Sequence, residues 1–167
     1  MLTNFDVKEI KPEHLHAALG LVWKVFSEFE APEYSDEGIQ EFKSFIEFES
    51  VKKMYEQREL LLWGCFDREK IIGVIATRKP CHISLLFVDR NFHRQGVARM
   101  LFNTVLDYYQ NTTECRKISV HSSPYAAEVY HKFGFHDMQP EQTTNGIRFI
   151  PMEFDSGNCV EHSVKQE

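Results

Sequence analysis

Apolar residues recur along this chain with two periods, and the positions where the period changes mark the elements. Residues 5–10 alternate as an edge strand does. Pro12 then suits the first turn of a helix that carries Leu15, Leu19, Val22 or Trp23, and Phe26 at steps of three and four. The stretch Ala31-Pro32-Glu33-Tyr34 breaks that helix. Ser35, followed by Asp36 and Glu37, has the form of an N-cap with acids in the first turn, and predicts a second helix carrying Ile39, Phe42, Phe45, Ile46 and Glu49. Past a charged connection, residues 60–66 and 71–77 are apolar runs joined by Asp67-Arg68-Glu69-Lys70, which predicts an antiparallel hairpin, and residues 82–88 add a third run.

A helix from Gly96 places Val97, Leu101, Val105 and Tyr108 on one face. Residues 118–121 form a strand reached through Asn111-Thr112-Thr113-Glu114, which completes a strand-helix-strand crossover. Ser123 as N-cap and Pro124 at the first helical position open a short helix that Gly134 stops. Residues 135–138 and 147–154 read as two further strands, turned by Thr143-Thr144-Asn145-Gly146. The sum is a mixed α/β layer sandwich in a single domain, residues 1–154, followed by a polar tail, residues 155–167.

Composition narrows this picture. The chain has 167 residues, enough for one sizeable core, and its 43% hydrophobic content exceeds that of disordered segments. No apolar run approaches the ~18 residues of a membrane span, and the N-terminal residues lack a basic-then-apolar secretory pattern, so the expected location is cytoplasmic. Cys65, Cys81, Cys115 and Cys159 are scattered without a Cys-x-x-Cys pair and are expected to be free thiols. His14 and His16 are two apart on a helix and point differently, so no metal site is expected. A net charge of −6 disfavours nucleic acid and favours cationic partners such as polyamines, aminoglycosides or basic peptides.

The chemistry concentrates in two segments. In the first, the apolar strand ending Phe87-Val88 runs into His93-Arg94-Gln95-Gly96-Val97-Ala98-Arg99, a basic, glycine-containing loop that opens a helix. Unpaired amides at a helix start accept an anion readily, and glycine lets the backbone come close to it. In the second, Ser123-Pro124-Tyr125-Ala126-Ala127-Glu128-Val129-Tyr130-His131-Lys132-Phe133-Gly134-Phe135, helical spacing sets Tyr130 on the same inward face as Ala126, Ala127 and Phe133.

With these two segments in this order, the chain resembles the GNAT superfamily of N-acetyltransferases over nearly its whole length. The family's loop, Gln or Arg, any, any, Gly, any, Gly or Ala, is matched by residues 93–98 except at His93. The resemblance implies a mostly antiparallel twisted sheet, flanked by helices, whose central strands splay apart. It also implies acetyl-CoA as cosubstrate. The amides of residues 94–99 would hold its pyrophosphate and the backbone of Phe87 and Val88 its pantetheine, with Arg94 and Arg99 adding charge. Tyr130 matches the family's tyrosine that protonates the departing thiolate, and Ser123 stands where many members carry a cofactor-binding asparagine. The implied reaction is acetyl transfer to a primary amine by direct attack in a ternary complex.

The general base does not identify itself. Glu28 and Glu30 near the end of the first helix, Glu33 in the loop that follows, and His121 at a strand end are the side-chain candidates, with ordered water as the alternative base. A few members of the stripe Phe26, Phe29, Phe42, Phe45 and Phe48 would line an acceptor pocket, the rest being core. Two competing readings remain open at this stage: an acyl-CoA-binding regulatory module with little catalysis, and a phosphate-binding α/β domain that lacks the usual glycine or lysine signatures. Exposed edges in the last strands would suit a homodimer.

Overall fold

The computed structural model describes residues 4–112 and 115–157. Its centre is an eight-stranded, mostly antiparallel sheet in the order β1-β2-β3-β4-β5-β8-β6, with β7 paired to β8. β1 (Phe5–Glu9) is the edge strand that the alternation predicts. After a 3-10 turn at Pro12–His14, helix α1 (Leu15–Phe29) buries Leu15, Leu19, Val22 and Phe26 on the sheet, as its spacing requires. Among the described residues, no helix is long and apolar enough to cross a membrane.

The single second helix of the sequence reading is in fact two. α2 (Asp36–Phe45) starts at Ser35, whose hydroxyl accepts from the Gly38 amide, and α3 (Phe48–Glu56) follows after Ile46 and Glu47. The break lets Ile46 drop into the core while Glu47 takes an extended backbone. α3 lays Phe48, Val51 and Tyr55 on the core at steps of three and four, but Glu47 provides no side-chain cap to mark its start, which is why the sequence pattern runs it together with α2. It is pinned by the Tyr55 hydroxyl, which donates to the Ile10 carbonyl at 2.8 Å.

β2 (Leu60–Asp67) and β3 (Lys70–Arg78) form the expected hairpin, closed by Arg68 in a left-handed conformation beside Glu69. β4 (His82–Val88), α4 (Val97–Thr112) and β5 (Lys117–Ser122) make the crossover, with β4 and β5 parallel. On α4 the deepest tyrosine is Tyr109 rather than Tyr108. Four-residue steps from Val97 lead to it, and its hydroxyl donates to Thr77 Oγ1 at 2.7 Å.

α5 (Ala127–Phe133) starts later than its serine and proline suggest. Ser123 Oγ accepts from the Ala126 amide and so caps a turn ahead of the helix, and Gly134 ends the helix at φ 105°. The next strand shrinks to β6 (His136–Asp137). An extra strand, β7 (Gln142–Thr144), then joins β8 (Ile147–Asp155) through Asn145 and Gly146, both at positive φ.

The free-thiol expectation holds for Cys65 only among the described cysteines. Cys81 and Cys115 are paired as a disulfide, with Cα atoms 6.5 Å apart. The β4–β5 pairing brings the two chain segments together, and that proximity is invisible in a spacing of 34 residues. Cys159 and most of the polar tail lie outside the described residues.

Candidate active site

β4 and β5 hydrogen-bond only at His82 with Ser119 and Ile83 with Val120. Beyond those pairs the two strands diverge, which leaves five residues of β4 without a partner on that side. On its other side β4 pairs with β3, where the Asp89 amide donates to the Ile72 carbonyl at 2.8 Å. Antiparallel bonding alternates in steps of two, so Phe87 faces Val74 in the next bonded pair. The backbone groups of Val88 and Leu86 therefore point into the gap. Of the two expected pantetheine ligands, Val88 faces the gap, whereas the backbone of Phe87 is turned to β3 and that of Leu86 shares the gap with Val88.

The loop that closes β4 is built by Asp89. Its buried carboxylate accepts from the Asn91 amide at 2.9 Å and meets Lys24 Nζ at 3.5 Å. Burial opposes the charge, but these two partners outweigh it and hold the Asp89 pKa below its ordinary value. The chain then passes through Arg94 at φ 61° and Gly96 at φ 82°. Left-handed residues in such a sequence turn successive amides toward a common concavity, an anion-binding arrangement at the start of α4. A Cβ on Gly96 would meet no atom within 4 Å, so the space over this turn is open.

The side chains of the loop divide sharply. Arg94 is exposed and free of partners among the described residues, and Val97 is core, leaving only its amide available. Gln95 folds back on the Asn91 carbonyl and Ala98 is half-buried. Arg99 is engaged elsewhere: it donates to the Lys132 carbonyl at 3.2 Å and lies over the Phe133 ring, joining α4 to α5. His93, the departure from the family pattern, turns inward. Its Nε2 lies 2.8 Å from the Val88 carbonyl and its ring faces Phe29, so it occupies the gap-side carbonyl instead of reaching a phosphate.

On the α1–α2 side of the sheet the gap opens into a cleft of about 510 Å³. Tyr130 reaches it from α5, and Glu30 and Tyr34 reach it from the end of α1 and the loop beyond. Tyr130 is 4% exposed, packs edge-on against Phe133 and Phe135, and has no hydrogen-bond partner for its hydroxyl among the described residues. Burial first, then the nearby Glu30 charge, raises its pKa far above the usual value, so the hydroxyl stays protonated.

Glu30 is the acid that the fold singles out. Burial pushes its pKa up to about 7; the Ser123 hydroxyl, donating to Oε1 at 2.8 Å, partly opposes this, and Glu33 reinforces it. Ser123, expected to touch the cofactor, lines the cleft and links this carboxylate to the Ala126 amide. Glu28 is exposed outside the cleft, and Glu33 lies 3.9 Å from Arg148. His121 does line the cleft, stacked on Phe149 and edge-on to His82. Burial and Arg78 lower its pKa, and burial with His121 and Arg78 lowers that of His82 to about 4, so both rings are neutral at neutral pH.

The remaining walls come from Phe42 and Phe45 on α2, Arg78 and Ser84 beside the strand gap, and the β7–β8 hairpin. The hairpin meets α2 where Gly38 packs against Gly146, so closely that a Cβ on Gly38 would collide with the Gly146 carbonyl. Arg78, His82, Arg148 and Phe149 escaped the sequence reading because they stand on separate strands with no motif linking them. Among the described residues no group of His, Cys, Asp or Glu could hold a metal ion.

The fold has counterparts among solved structures. A GCN5-related N-acetyltransferase from Rhodopseudomonas palustris superposes with a TM-score of 0.79 at 17% identity, covering 93% of this chain and 98% of that one. The PaiA N-acetyltransferase from Thermoplasma acidophilum, solved in complex with coenzyme A, gives 0.75 at 16% identity, with 91% and 99% covered. Spermidine N-acetyltransferase from Vibrio cholerae, in complex with CoA and spermine, gives 0.66 at 16% identity over 95% and 99%. No curated protein sequence matches the chain. The family model of the acetyltransferase (GNAT) domain matches residues 30–156, which span the strand gap, the loop into α4 and the cleft: the chain belongs to the GNAT acetyltransferase family.

Proposed function

We propose that this protein moves the acetyl group of acetyl-CoA to a primary amine by direct attack in a ternary complex, with Tyr130 as general acid and Glu30 as general base. The observation that carries this reading is the pairing of roles in one cleft. A tyrosine held protonated and a carboxyl group titrating near neutrality both face the space where β4 and β5 part. Environments that push two titratable groups to opposite tasks are how acid and base are assigned in one site.

The coenzyme fits the gap on the same grounds. Leu86 offers the backbone edge of a missing strand to the pantetheine amides, the Val88 carbonyl being taken by His93, and the amides from Arg94 through Ala98 to Arg99 offer donors to the pyrophosphate. Transfer then proceeds with each atom accounted for. The amine nitrogen attacks the thioester carbonyl carbon, a C–N bond forms and the C–S bond breaks. The amine proton passes to Glu30, and the Tyr130 hydroxyl proton passes to the departing thiolate. The Val88 N–H, aimed into the gap, is a donor for the carbonyl oxygen as charge develops there.

Glu30 is a stronger base than an ordinary carboxylate because its pKa is about 7, and the low dielectric that raises it also lowers that of an incoming ammonium. Acetyl-CoA turnover against a panel of amines, with products identified by mass spectrometry, tests the proposal. Tyr130→Phe is expected to slow transfer by about 100-fold or more while coenzyme A binding, measured by calorimetry, stays within about twofold. Equal turnover by this variant would remove Tyr130 as the acid. Coenzyme A binding with no turnover of any amine would favour a binding module.

A further inference from the structure

The cleft is not uniformly acidic, and its one uncompensated cation bears on the acceptor. Four charged side chains line it: Glu30, Glu41, Arg78 and Arg148. Arg148 is spoken for, with Nε and Nη2 each 3.1 Å from the Glu141 carboxylate and Nη1 3.9 Å from Glu33. Arg78 has no carboxylate within ion-pair distance among the described residues, and Glu41, one turn before Phe45 on α2, lies beyond that reach. Its guanidinium is nevertheless positioned. Nε donates to Ser84 Oγ at 2.9 Å, and the group sits 5.4 Å from the centre of the Phe45 ring, so this exposed side chain is oriented at the cleft wall with its two terminal nitrogens uncommitted among the described residues.

Two rings held neutral line the cleft beside Arg78: His82 holds Ser119 through Nδ1 and His121 is stacked on Phe149, while the acid Glu41 stands one turn before Phe45 on α2. At the other side of the cleft, Glu30 stands beside Tyr130. A long polyamine would set a second ammonium against Arg78, whereas a molecule with an amine and a carboxylate meets an acid at one side and a fork of donors at the other.

We propose that the acceptor is an amine that also carries a carboxylate, of the amino-acid type, with Arg78 holding the carboxylate while the amine faces Glu30. This rests on the acetyl-transfer reading above and departs from the polyamine class suggested by the net charge. Arg78 is a specificity-determining residue and takes no part in the bond changes.

The test compares, with acetyl-CoA, a set of amino acids, their carboxamides and their decarboxylated amines, together with spermidine. A parallel calorimetric titration measures the preferred amino acid with the protein in the absence of acetyl-CoA. The acids are expected to exceed their amides in kcat/KM by about 30-fold or more, and Arg78→Gln to collapse that ratio toward unity. The loss should fall in KM, by about 10- to 100-fold, and the calorimetric affinity should weaken by the same factor. Arg78→Lys, which keeps the charge but not the fork, should restore part of the discrimination. Amides, decarboxylated amines or spermidine turning over as well as the acids would overturn the proposal while leaving acetyl transfer standing. An unchanged ratio in Arg78→Gln would do the same. Failure to acetylate any of these amines would overturn the acceptor assignment, and failure of the wider amine panel as well would overturn the transfer reading.

Discussion

Replacing Glu30 with glutamine separates what this carboxylate costs the fold from what it contributes to transfer. Its pKa is about 7 in the folded protein against an ordinary 4.5, so the folded state binds its proton more tightly than the unfolded chain does. A carboxyl group with a raised folded pKa supports stability below its unfolded pKa and loses that support as pH rises through the folded one. At about 1.4 kcal/mol per pH unit, a shift of this size removes about 3 kcal/mol by pH ~8 and less than about 1 kcal/mol at pH ~5. Glutamine keeps the shape and can still accept from Ser123, but it carries no charge to bury.

Glu30→Gln is therefore expected to melt higher than the parent protein by about 6–12 °C near pH ~8 and by only about 2–3 °C near pH ~5, taking about 2–4 °C per kcal/mol for a domain of this size. The neutral His82, with its pKa lowered to about 4, has the opposite pH dependence, losing stability as pH falls below 6.5. It is present in both proteins and cancels in the difference. Activity should move the other way. The parent should show an acid limb in kcat/KM near pH 7, and the variant should lose that limb and about 100-fold or more in rate. Melting by differential scanning calorimetry across pH, paired with initial rates, measures both. A melting difference that does not grow with pH, or an acid limb that survives the substitution, would refute the reasoning.

Three further outcomes follow from the same geometry. Ser123→Ala removes the one hydrogen bond that lowers the Glu30 pKa, so the acid limb of the pH–rate profile should move above 7, with a stability loss of about 1–2 kcal/mol in urea unfolding from the lost cap and bond. Gly38→Ala drives a Cβ into the Gly146 carbonyl, and α2 or the β7–β8 hairpin must shift; a loss of about 2 kcal/mol or more in urea unfolding, with weakened acceptor binding, is expected. A Cβ at Gly96 meets no neighbouring atom, so the cost of Gly96→Ala is confined to the left-handed backbone, about 1–2 kcal/mol. Coenzyme A affinity, followed by calorimetry, should fall more steeply than the melting temperature.

The parts of the fold that were legible in sequence are those whose signal is local. The β2–β3 hairpin, the Ser35 cap and the Gly134 stop each lie within a few residues of what they specify, and each forms where the pattern places it. Burial on a separate element is what hides the rest. α3 repeats its apolar residues at Phe48, Val51 and Tyr55, but Glu47 ahead of it makes no side-chain cap, so no local stop signal separates it from α2, and the last strands are fixed by pairing with β8, not by their own composition. In the candidate site the tyrosine and the loop could be found because helical and turn spacing bring their residues together. Choosing Glu30 over Glu28 could not be made from two acids two residues apart on the same helix end. That choice depends on which one faces Ser123, 93 residues further on.

The end of α1 has a second task that explains why the acid sits there. Two parallel strands that stop pairing after Ile83 and Val120 have no backbone bonds to fix their separation further along, so the width of the gap must be set from outside the sheet. α1 grips both lips. On the β4 side Lys24 meets Asp89, and Phe29 lies 5.2 Å from His93; on the β5 side the same Phe29 ring stacks on Tyr125 at 5.2 Å, and Glu30 accepts from Ser123. One helix end thus spans the opening with an aromatic ring touching each side and a carboxylate tied to one of them. If Glu30 is the base, as proposed above, its attachment to the element that sets the gap would keep its distance to a thioester held there, and catalysis by positioned groups depends on holding that distance to within fractions of an ångström.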